Sequence, residues 1–399
     1  MLKDYQNLKT PAYIVDLKKY KNNISVVIES FKNNWSGPMI FGYSVKTNHK
    51  EWFIKHLGDF YAEVVSGDEL NYVIEKGVDP TKIIFNGPQK KEDDIRYFLY
   101  NGGILNIDNF NDISLIEKII NTNCNLSKHL KIGIRVNFDL ERYCPKETTA
   151  GSEVSRFGIC FENGDLQKVI DKLHRLRIPV SGLHLHYSTK TRSKKVFFML
   201  AHTAVKIVEK YNLKNEIEFI DMGGGFFGGQ RNDIYPTFEE YSSIICSEIK
   251  KISNSISLII EPGASILATA VEYIAKVIDL KFIRNVGVVT TDGSILHVNP
   301  FMIERNYTME VLHSNIDLKS EIVEKQIICG ATCMEKDRFL TLNNEQKIKN
   351  GDLIKVSFTG AYTMAFNSCF INLPPYVYQS NSGKFTLIYE ANKNLMTLI

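Results

Sequence analysis

The chain lacks the features that mark several classes of protein. It has no apolar run approaching the ~20 residues of a membrane span, and its first residues, MLKDYQNLKTPAYIVD, contain no apolar core of the secretory type. Its seven cysteines are scattered without a CxxC pair, which is typical of reduced cytosolic thiols. A formal net charge of +3 on 399 residues is not the clustered basic excess of a nucleic-acid binder. We therefore expect a cytoplasmic protein with no metal site that binds neither nucleic acid nor a membrane.

What the sequence does contain is an alternation of strands and helices over its first two-thirds. With 44% hydrophobic and 23% charged residues, the composition is that of a globular protein. Near-continuous apolar strands that alternate with helices indicate a parallel sheet covered on its outer face, and eight such units are the number of a closed (β/α)₈ barrel. The predicted strands are Met39–Val45, Asp59–Val65, Lys82–Asn86, Gly103–Ile107, Leu130–Asn137, Val180–Tyr187, Ile217–Gly223 and Leu258–Gly263.

The pattern changes after about Gly263. From Thr269 onward the chain is rich in Val, Ile, Thr and Phe, with turn signals such as DG, NNE and NGD. This is typical of a mostly antiparallel β-domain with a sandwich-like or barrel-like form. The predicted fold class is thus α/β, a TIM barrel over residues 22–265 with a β-domain made of residues 1–21 and 266–399.

Five segments place chemically capable residues in a characteristic order. They are FGYSVKTN with Lys46, GLHLHYST with His186, IDMGGGFFGG with Gly223–Gly225, IIEPGAS with Glu261, and CGATCMEKD paired with FTGAYTMAFNS. In a barrel of this type, catalytic residues come from the C-terminal ends of the strands, and the first four segments all end predicted strands. The chain resembles the alanine-racemase-like (fold type III) pyridoxal phosphate enzymes, specifically the branch of ornithine and diaminopimelate decarboxylases.

The resemblance implies pyridoxal 5'-phosphate as cofactor, a small amino acid as substrate, and a role in amino acid or polyamine-like metabolism. Lys46 would form the Schiff base, and Glu261 would keep the pyridine nitrogen protonated, so that the ring accepts the electrons left by CO₂ loss. His186 would stack on the ring, whereas His184 is expected to point to the other face as a structural histidine. Racemases of this fold place an arginine at the pyridine nitrogen, so Glu261 favours decarboxylation, with racemisation as the alternative.

The phosphate needs hydrogen-bond donors. Gly223, Gly224 and Gly225 lack side chains, so their backbone N–H groups can approach an anion closely. By resemblance, Thr189 and Tyr362 would also bind the phosphate.

The chain departs from the family at one charged position. Where the family usually reads EPGR, this chain reads EPGA, so Ala264 supplies no charge. A cation from Lys190, Arg192 or elsewhere could replace the arginine, and the sequence leaves open which. The surrounding cluster STKTRSKK is otherwise interpreted as a solvated loop.

Cys333 lies in GATCMEKD, which resembles the family motif G-x-x-C-[DE]-x-x-D. A thiol across the ring can return a proton to the former α-carbon after CO₂ has left. In the family this cysteine enters the site from the partner subunit. The resemblance therefore implies a homodimer with shared active sites.

Substrate identity is harder to predict. Asn299 and Ala264 stand where diaminopimelate decarboxylases have arginines, which makes diaminopimelate an unfavourable substrate. Glu304 stands in place of the aspartate with which ornithine decarboxylases hold the distal amine, and Met334 replaces their second acid, with Glu335 one place on. A charged amine in a closed pocket needs paired partners, so we expect a modified or conjugated amino acid from a specialised pathway.

A third reading comes from another class of protein, a non-catalytic homologue that binds regulatory partners, as antizyme inhibitor does. That reading predicts the loss of catalytic or phosphate-binding residues. Ala264 is its only support, because the other key residues are all present: Lys46, His186, Glu261, Cys333 and Tyr362.

Overall fold

The structure is a computed structural model that describes residues 2–122, 126–151, 153–228, 234–303, 308–314, 321–366 and 369–392. The chain divides into two compact units, a barrel unit of residues 23–265 and a β unit of residues 1–22 and 266–399. In the described part, no helix combines the length and the apolar character that a membrane span requires.

Eighteen strands are present in the described ranges. They are β1 (Ala12–Val15), β2 (Met39–Ser44), β3 (Tyr61–Val64), β4 (Ile83–Phe85), β5 (Gly103–Ile107), β6 (Leu130–Asn137), β7 (Ile159–Cys160), β8 (Gly182–His184), β9 (Phe219–Asp221), β10 (Ser257–Ile260), β11 (Val271–Ile283), β12 (Val286–Thr291), β13 (Met309–Leu312), β14 (Ile322–Cys329), β15 (Arg338–Gln346), β16 (Leu353–Val356), β17 (Tyr376–Asn381) and β18 (Lys384–Tyr389).

The α-helices of the described residues connect these strands, mainly in the barrel unit. They are α1 (Leu2–Gln6), α2 (Leu17–Asn34), α3 (Glu51–Ile54), α4 (Gly67–Glu75), α5 (Glu92–Asn101), α6 (Phe110–Ile120), α7 (Leu140–Tyr143), α8 (Asp165–Arg175), α9 (Lys194–Lys210), α10 (Phe238–Ile249), α11 (Ala264–Leu267) and α12 (Ile295–Val298). Short 3₁₀ turns cover Val45–Thr47, Pro80–Lys82, Leu213–Asn215, Ala268–Ala270 and Met364–Phe366.

The barrel unit is a closed ring of parallel strands in the order β2, β3, β4, β5, β6, β8, β9 and β10. Closure follows from two pairings, β10 with β2 and β5 with β6. The short strand β7 lies outside the ring because it pairs only with β6. The predicted (β/α)₈ barrel is therefore confirmed.

Apolar side chains fill the barrel. Ile84, Ile104, Phe219 and Ile259 come from different strands of the ring and form one buried cluster. A Cβ atom at Gly182 would collide with the Phe219 ring, so glycine is needed where this large side chain crosses the interior. This packing closes the centre of the barrel and leaves the carboxyl ends of the strands for chemistry.

The β unit is a mixed and mostly antiparallel sheet, as predicted. β11 pairs antiparallel with β1, β12 and β16. Two pairings are parallel, β12 with β14 and β1 with β17. The N-terminal strand β1 is therefore part of this sheet.

Chain segments just beyond the barrel strands carry the predicted site residues. β5 and β6 have the predicted bounds, whereas β8 ends at His184 instead of Tyr187. The chain beyond β8 stays near β9, since the Leu185 N–H donates to the Asp221 carbonyl at 2.8 Å. His186 thus lies past the strand end, and Lys46 lies in the 3₁₀ turn that follows β2.

Candidate active site

Lys46 is held by a buried carboxylate that sequence reasoning did not predict. Its turn is fixed by the Tyr43 hydroxyl, which donates to the Asn48 carbonyl at 2.6 Å. The Lys46 ammonium contacts Glu63 Oε2 at 2.5 Å, and the Glu63 side chain in β3 is 1% exposed whereas that of Lys46 is 37% exposed. Because the buried partner is rigid, the lysine is held at the mouth of the barrel.

An amide network joins Glu63 to Glu261. Asn86, just after β4, donates through Nδ2 to Glu63 Oε1 at 3.1 Å and to Glu261 Oε1 at 2.7 Å. Asn106, in β5, donates in turn to Asn86 Oδ1 at 2.8 Å and to Asp221 Oδ2 at 3.4 Å. The ends of β3, β4, β5, β9 and β10 thus build one hydrogen-bonded cluster.

This cluster buries three acidic residues, Glu63, Asp221 and Glu261. Burial raises the pKa of Glu261 well above its ordinary value, and the charges of Asp221 and Glu63 raise it further. Burial also raises the pKa of Asp221, which shares a hydrogen bond with Glu261. A hydrogen bond between two carboxyl groups requires a proton on one of them, so the pair is stable with one proton or with a cation beside it.

His184 is not turned away from the site, and that expectation was wrong. Residues two apart in an extended chain point to the same face. The His184 and His186 rings accordingly lie 6.2 Å apart with an interplanar angle of 18°, and His184 Nε2 is 3.9 Å from Glu261 Oε2. Burial, with the positive charge of Arg135, lowers the pKa of His186 to about 3 and that of His184 well below its ordinary value. Burial therefore favours the neutral form of both imidazoles.

His184, Asp221 and Glu261 present ligand atoms that all lie within 4.8 Å of one another. This spacing would admit a metal ion. A proton shared between the two carboxyl groups accounts for their closeness without one. The arrangement therefore supports a site that handles protons.

The glycine turn is tied to the same cluster. Gly223 has a φ of +62°, and a Cβ atom there would lie 2.6 Å from His186 Cβ, so the position requires glycine. The Gly223 N–H donates to Asp221 Oδ1 at 2.8 Å, and its carbonyl accepts from the Glu261 N–H at 2.9 Å. Gly225 has a φ of +94° and is exposed, so the backbone of the turn is accessible to solvent at this residue.

The remaining residues considered for the phosphate side of the barrel unit lie in the segments that follow β8, β9 and β10. A Cβ atom on Gly224 would lie 2.5 Å from the Glu261 carbonyl oxygen. Thr189 is half-buried, and its hydroxyl accepts from the Arg192 N–H at 3.2 Å. Ala264 begins α11, three positions after Glu261.

Arg135, in β6, is a further buried cation that the sequence did not reveal. Its Nη1 donates to Asp108 Oδ2 at 3.2 Å, and its Nη2 donates to the His186 carbonyl at 3.5 Å. Asp108 Oδ1 also accepts from the Gly158 N–H at 3.3 Å. Arg135 therefore links the His186 segment to the loop before β7.

A cavity of about 1020 Å³ opens beside this arginine. It lies between the ends of β6 and β8 and the segment from Thr148 to Phe157, and His186 forms part of its wall. Its size is at the upper end of the range for small-molecule pockets.

In the β unit, the loop between β14 and β15 presents Cys333 to solvent. Buried Asp337 builds this loop, since its carboxylate accepts from the Thr332 N–H at 3.0 Å and from the Ile295 N–H at 2.7 Å. A Cβ atom on Gly330 would collide with the same carboxylate. The glycine and the aspartate of the motif therefore shape the loop that carries the thiol.

The other predicted residues of the β unit are less constrained. Tyr362 is half-buried with a φ of +56°, a left-handed conformation uncommon outside glycine. Met334 is half-buried, whereas Glu335 is exposed and pairs with Arg338 at 3.0 Å. Glu304 lies outside the described residues.

The barrel cluster fits pyridoxal phosphate. Within the described ranges, both ring nitrogens of His184 are buried without a hydrogen-bond partner. The protonated pyridine nitrogen of the cofactor would place a positive charge beside the buried carboxyl groups. The exposed glycine turn offers backbone N–H groups to a phosphate.

The comparisons agree with this fit. The family model described as "Pyridoxal-dependent decarboxylase, pyridoxal binding domain" matches residues 21–268, more than half of the chain. The chain is 26% identical over 338 residues to a diaminopimelate decarboxylase of Staphylococcus aureus (strain COL), covering 82% of this chain and 77% of the relative. It is 26% identical over 394 residues to that of Methanocaldococcus jannaschii, covering 95% and 88%.

The crystal structure of the M. jannaschii enzyme superposes with a TM-score of 0.85 at 22% identity, covering 98% of this chain and 92% of that one. At this identity the likeness concerns the fold alone. The family match carries the assignment further. The chain belongs to the pyridoxal-dependent decarboxylases, enzymes that use bound pyridoxal phosphate to remove CO₂ from amino acids.

Proposed function

We propose that this chain removes the α-carboxyl group of an amino acid with pyridoxal phosphate attached to Lys46. The observation that carries the proposal is the meeting of Lys46, Glu261, His186 and the glycine turn at one end of the barrel. When bound, the cofactor joins the substrate amine and takes up the electron pair that departing CO₂ leaves behind.

Lys46 must lose a proton before its nitrogen can bond to a carbonyl carbon. Glu63 Oε2 contacts Nζ at 2.5 Å and is placed to take that proton. Asn86 holds Glu63 through its other oxygen, Oε1. Glu63 therefore positions Lys46 and serves as its proton acceptor.

Glu261 holds a proton at the ring nitrogen. Its carboxyl group is 3% exposed, so it is poorly screened by water and pairs strongly with a cation. Asn86 fixes Oε1, which leaves Oε2 on the side of His184. His186 would stack on the ring of the bound cofactor, and because burial lowers its pKa to about 3, its neutral imidazole would add no charge that competes with the ring.

Cys333 returns the proton to the former α-carbon. The support is the family motif together with the Asp337-built loop that presents an exposed thiol. In the arrangement that the resemblance implies, two copies of the chain form a homodimer, and each Cys333 serves the site of the partner. Tyr362 would complete the phosphate site.

The first candidate substrate is diaminopimelate. The S. aureus and M. jannaschii relatives are diaminopimelate decarboxylases, and both align with most of this chain. Such a substrate carries a second amino group and a second carboxyl group, so its distal end needs a cation in the site.

A second candidate is a modified or conjugated amino acid without a distal carboxylate. Asn299, at the position of the family arginine, is 5% exposed and donates to the Ile303 carbonyl at 2.7 Å. It therefore offers no positive charge.

The test exposes the holoprotein to diaminopimelate, lysine, ornithine, arginine and side-chain-acylated forms of each, and follows CO₂ release and the chirality of the remaining amino acid. We expect stoichiometric CO₂ from at least one substrate. Lys46→Ala is the matched inactive control. Inversion of configuration without CO₂ would identify a racemase, and cofactor binding without turnover of any substrate would favour the non-catalytic homologue.

A further inference from the structure

The phosphate end of the site needs a positive charge that Ala264 does not supply. Gly223 and Gly225 have positive φ angles, and a Cβ atom on Gly225 would meet nothing nearer than 3.9 Å. Backbone N–H groups of such a turn can receive phosphate oxygens. A dianion that is held only by neutral donors binds more weakly than one paired with a guanidinium.

Arg192 lies beside the end of this turn. Its Nη1 donates to the Phe226 carbonyl at 3.2 Å, and Phe226 directly follows Gly225. Its guanidinium carbon lies 4.8 Å from the centre of the Phe227 ring. The charge is therefore next to the two residues that leave the glycine turn. A guanidinium carries five N–H donors, so it can bind several acceptors at once.

The backbone of Arg192 is fixed by the same buried aromatic group that anchors the turn. The Tyr241 hydroxyl donates to the Arg192 carbonyl at 2.6 Å. Phe226 packs against Tyr241 with ring centres 5.2 Å apart and against Phe197 at 4.4 Å. Tyr241 therefore contacts both the backbone of Arg192 and the segment that leaves the glycine turn.

The backbone of the Arg192 segment is also constrained. Arg192 has a φ of +48°, a left-handed conformation that a residue with a side chain adopts at a cost. Its N–H donates to the hydroxyl of Thr189, at 3.2 Å. Lys190, two positions earlier, is exposed and is therefore a weaker candidate for the same role.

We propose that Arg192 supplies the cation for the cofactor phosphate, in place of the arginine that the family carries at position 264. The inference rests on the proposed placement of the phosphate at the glycine turn. The positive charge that is missing at the start of α11 would then come from the loop before α9.

The experiment measures the equilibrium binding of pyridoxal phosphate and of pyridoxal, which lacks the phosphate, to the apoprotein by absorbance titration. Arg192→Gln should weaken pyridoxal phosphate binding by on the order of 10-fold to 100-fold and leave pyridoxal binding unchanged. Lys190→Gln removes the same charge from the same loop and is the matched control, with an expected change below about 2-fold. Ala264→Arg, added to Arg192→Gln, should restore part of the affinity.

If Arg192→Gln does not fold, Arg192→Lys tests whether Arg192 binds the phosphate. It keeps the charge but loses the fork, so an intermediate loss of about 3-fold to 10-fold, confined to the phosphorylated ligand, is expected. Equal losses for both ligands, or a loss with Lys190→Gln as large as with Arg192→Gln, would overturn the inference. In each case pyridoxal attached to Lys46 would still support the proposed function.

Discussion

Replacing Glu261 by glutamine removes the charge at the centre of the proposed site while keeping its shape. The present carboxylate accepts from Asn86 Nδ2 at 2.7 Å through Oε1. A glutamine would keep its oxygen on that side, because two N–H groups cannot face each other there. Its NH₂ group would then occupy the place of Oε2, near His184. A donor would thus face the ring nitrogen, which would stay unprotonated.

The size of the effect follows from burial. Glu261 is 3% exposed, so little water screens its charge. A preorganised charge in such a site is worth about 3 kcal/mol of transition-state stabilisation. At ~1.4 kcal/mol per factor of ten, the decarboxylation rate should fall by on the order of 10²-fold. Cofactor retention should change little, because the contacts of Lys46 and of the glycine turn remain.

The assay compares single-turnover CO₂ release and bound cofactor in the wild type, in Glu261→Gln and in Glu209→Gln. Glu209 is exposed in α9, so Glu209→Gln makes the same chemical change away from the site. We expect full cofactor occupancy in all three and a large rate loss in Glu261→Gln alone. A Glu261→Gln enzyme with nearly full activity would refute the electron-sink role and remove the main physical argument against racemisation.

Other predictions test the neighbouring parts of the site. Glu63→Gln should slow attachment of the cofactor by about 10-fold in stopped-flow absorbance, whereas Glu51→Gln, which breaks an exposed lysine pair, should not; equal rates would remove Glu63 as proton acceptor. Mixing inactive Lys46→Ala and Cys333→Ala proteins should restore up to about a quarter of the activity if sites are shared, and no recovery despite subunit exchange would contradict shared sites. Burial raises the pKa of Glu69 to about 7. The folded state then binds this proton more tightly than the unfolded state. The resulting contribution of Glu69 to the free energy of unfolding is fully present below the ordinary pKa of 4.5 and is lost as the pH rises through about 7. Glu69→Gln should therefore gain thermal stability relative to the wild type between about pH 5 and about pH 8, and a constant difference would show that Glu69 is not the group responsible.

The barrel could be predicted because its signal is local. Apolar strands and amphipathic helices alternate along the chain, and the order of the ring follows the order of the sequence except for the outlying β7. The position of Lys46 and Glu261 at the strand ends follows from the same pattern. In the β unit, consecutive strands such as β11 and β12 form hairpins, but β1 pairs in parallel with β17 from the far end of the chain, and no periodicity in the sequence indicates that pairing.

The supporting residues of the site were missed for a related reason. Asn86, Asn106 and Asp221 are ordinary strand-end residues in sequence, and only ring closure brings them together. Glu63 had a usable signal, since it is an acid within an apolar strand next to the lysine strand. The error on His184 came from the face assignment, because residues two apart in a strand share a face.

Attachment of the cofactor to Lys46 is the central claim, and one measurement tests it directly. The holoprotein is reduced with borohydride, digested, and analysed by peptide mass spectrometry, with Lys46→Ala treated in parallel. The account predicts the reduced cofactor on the peptide that contains Lys46 and none in the variant. An adduct on another lysine, or no adduct in the wild type, would contradict it.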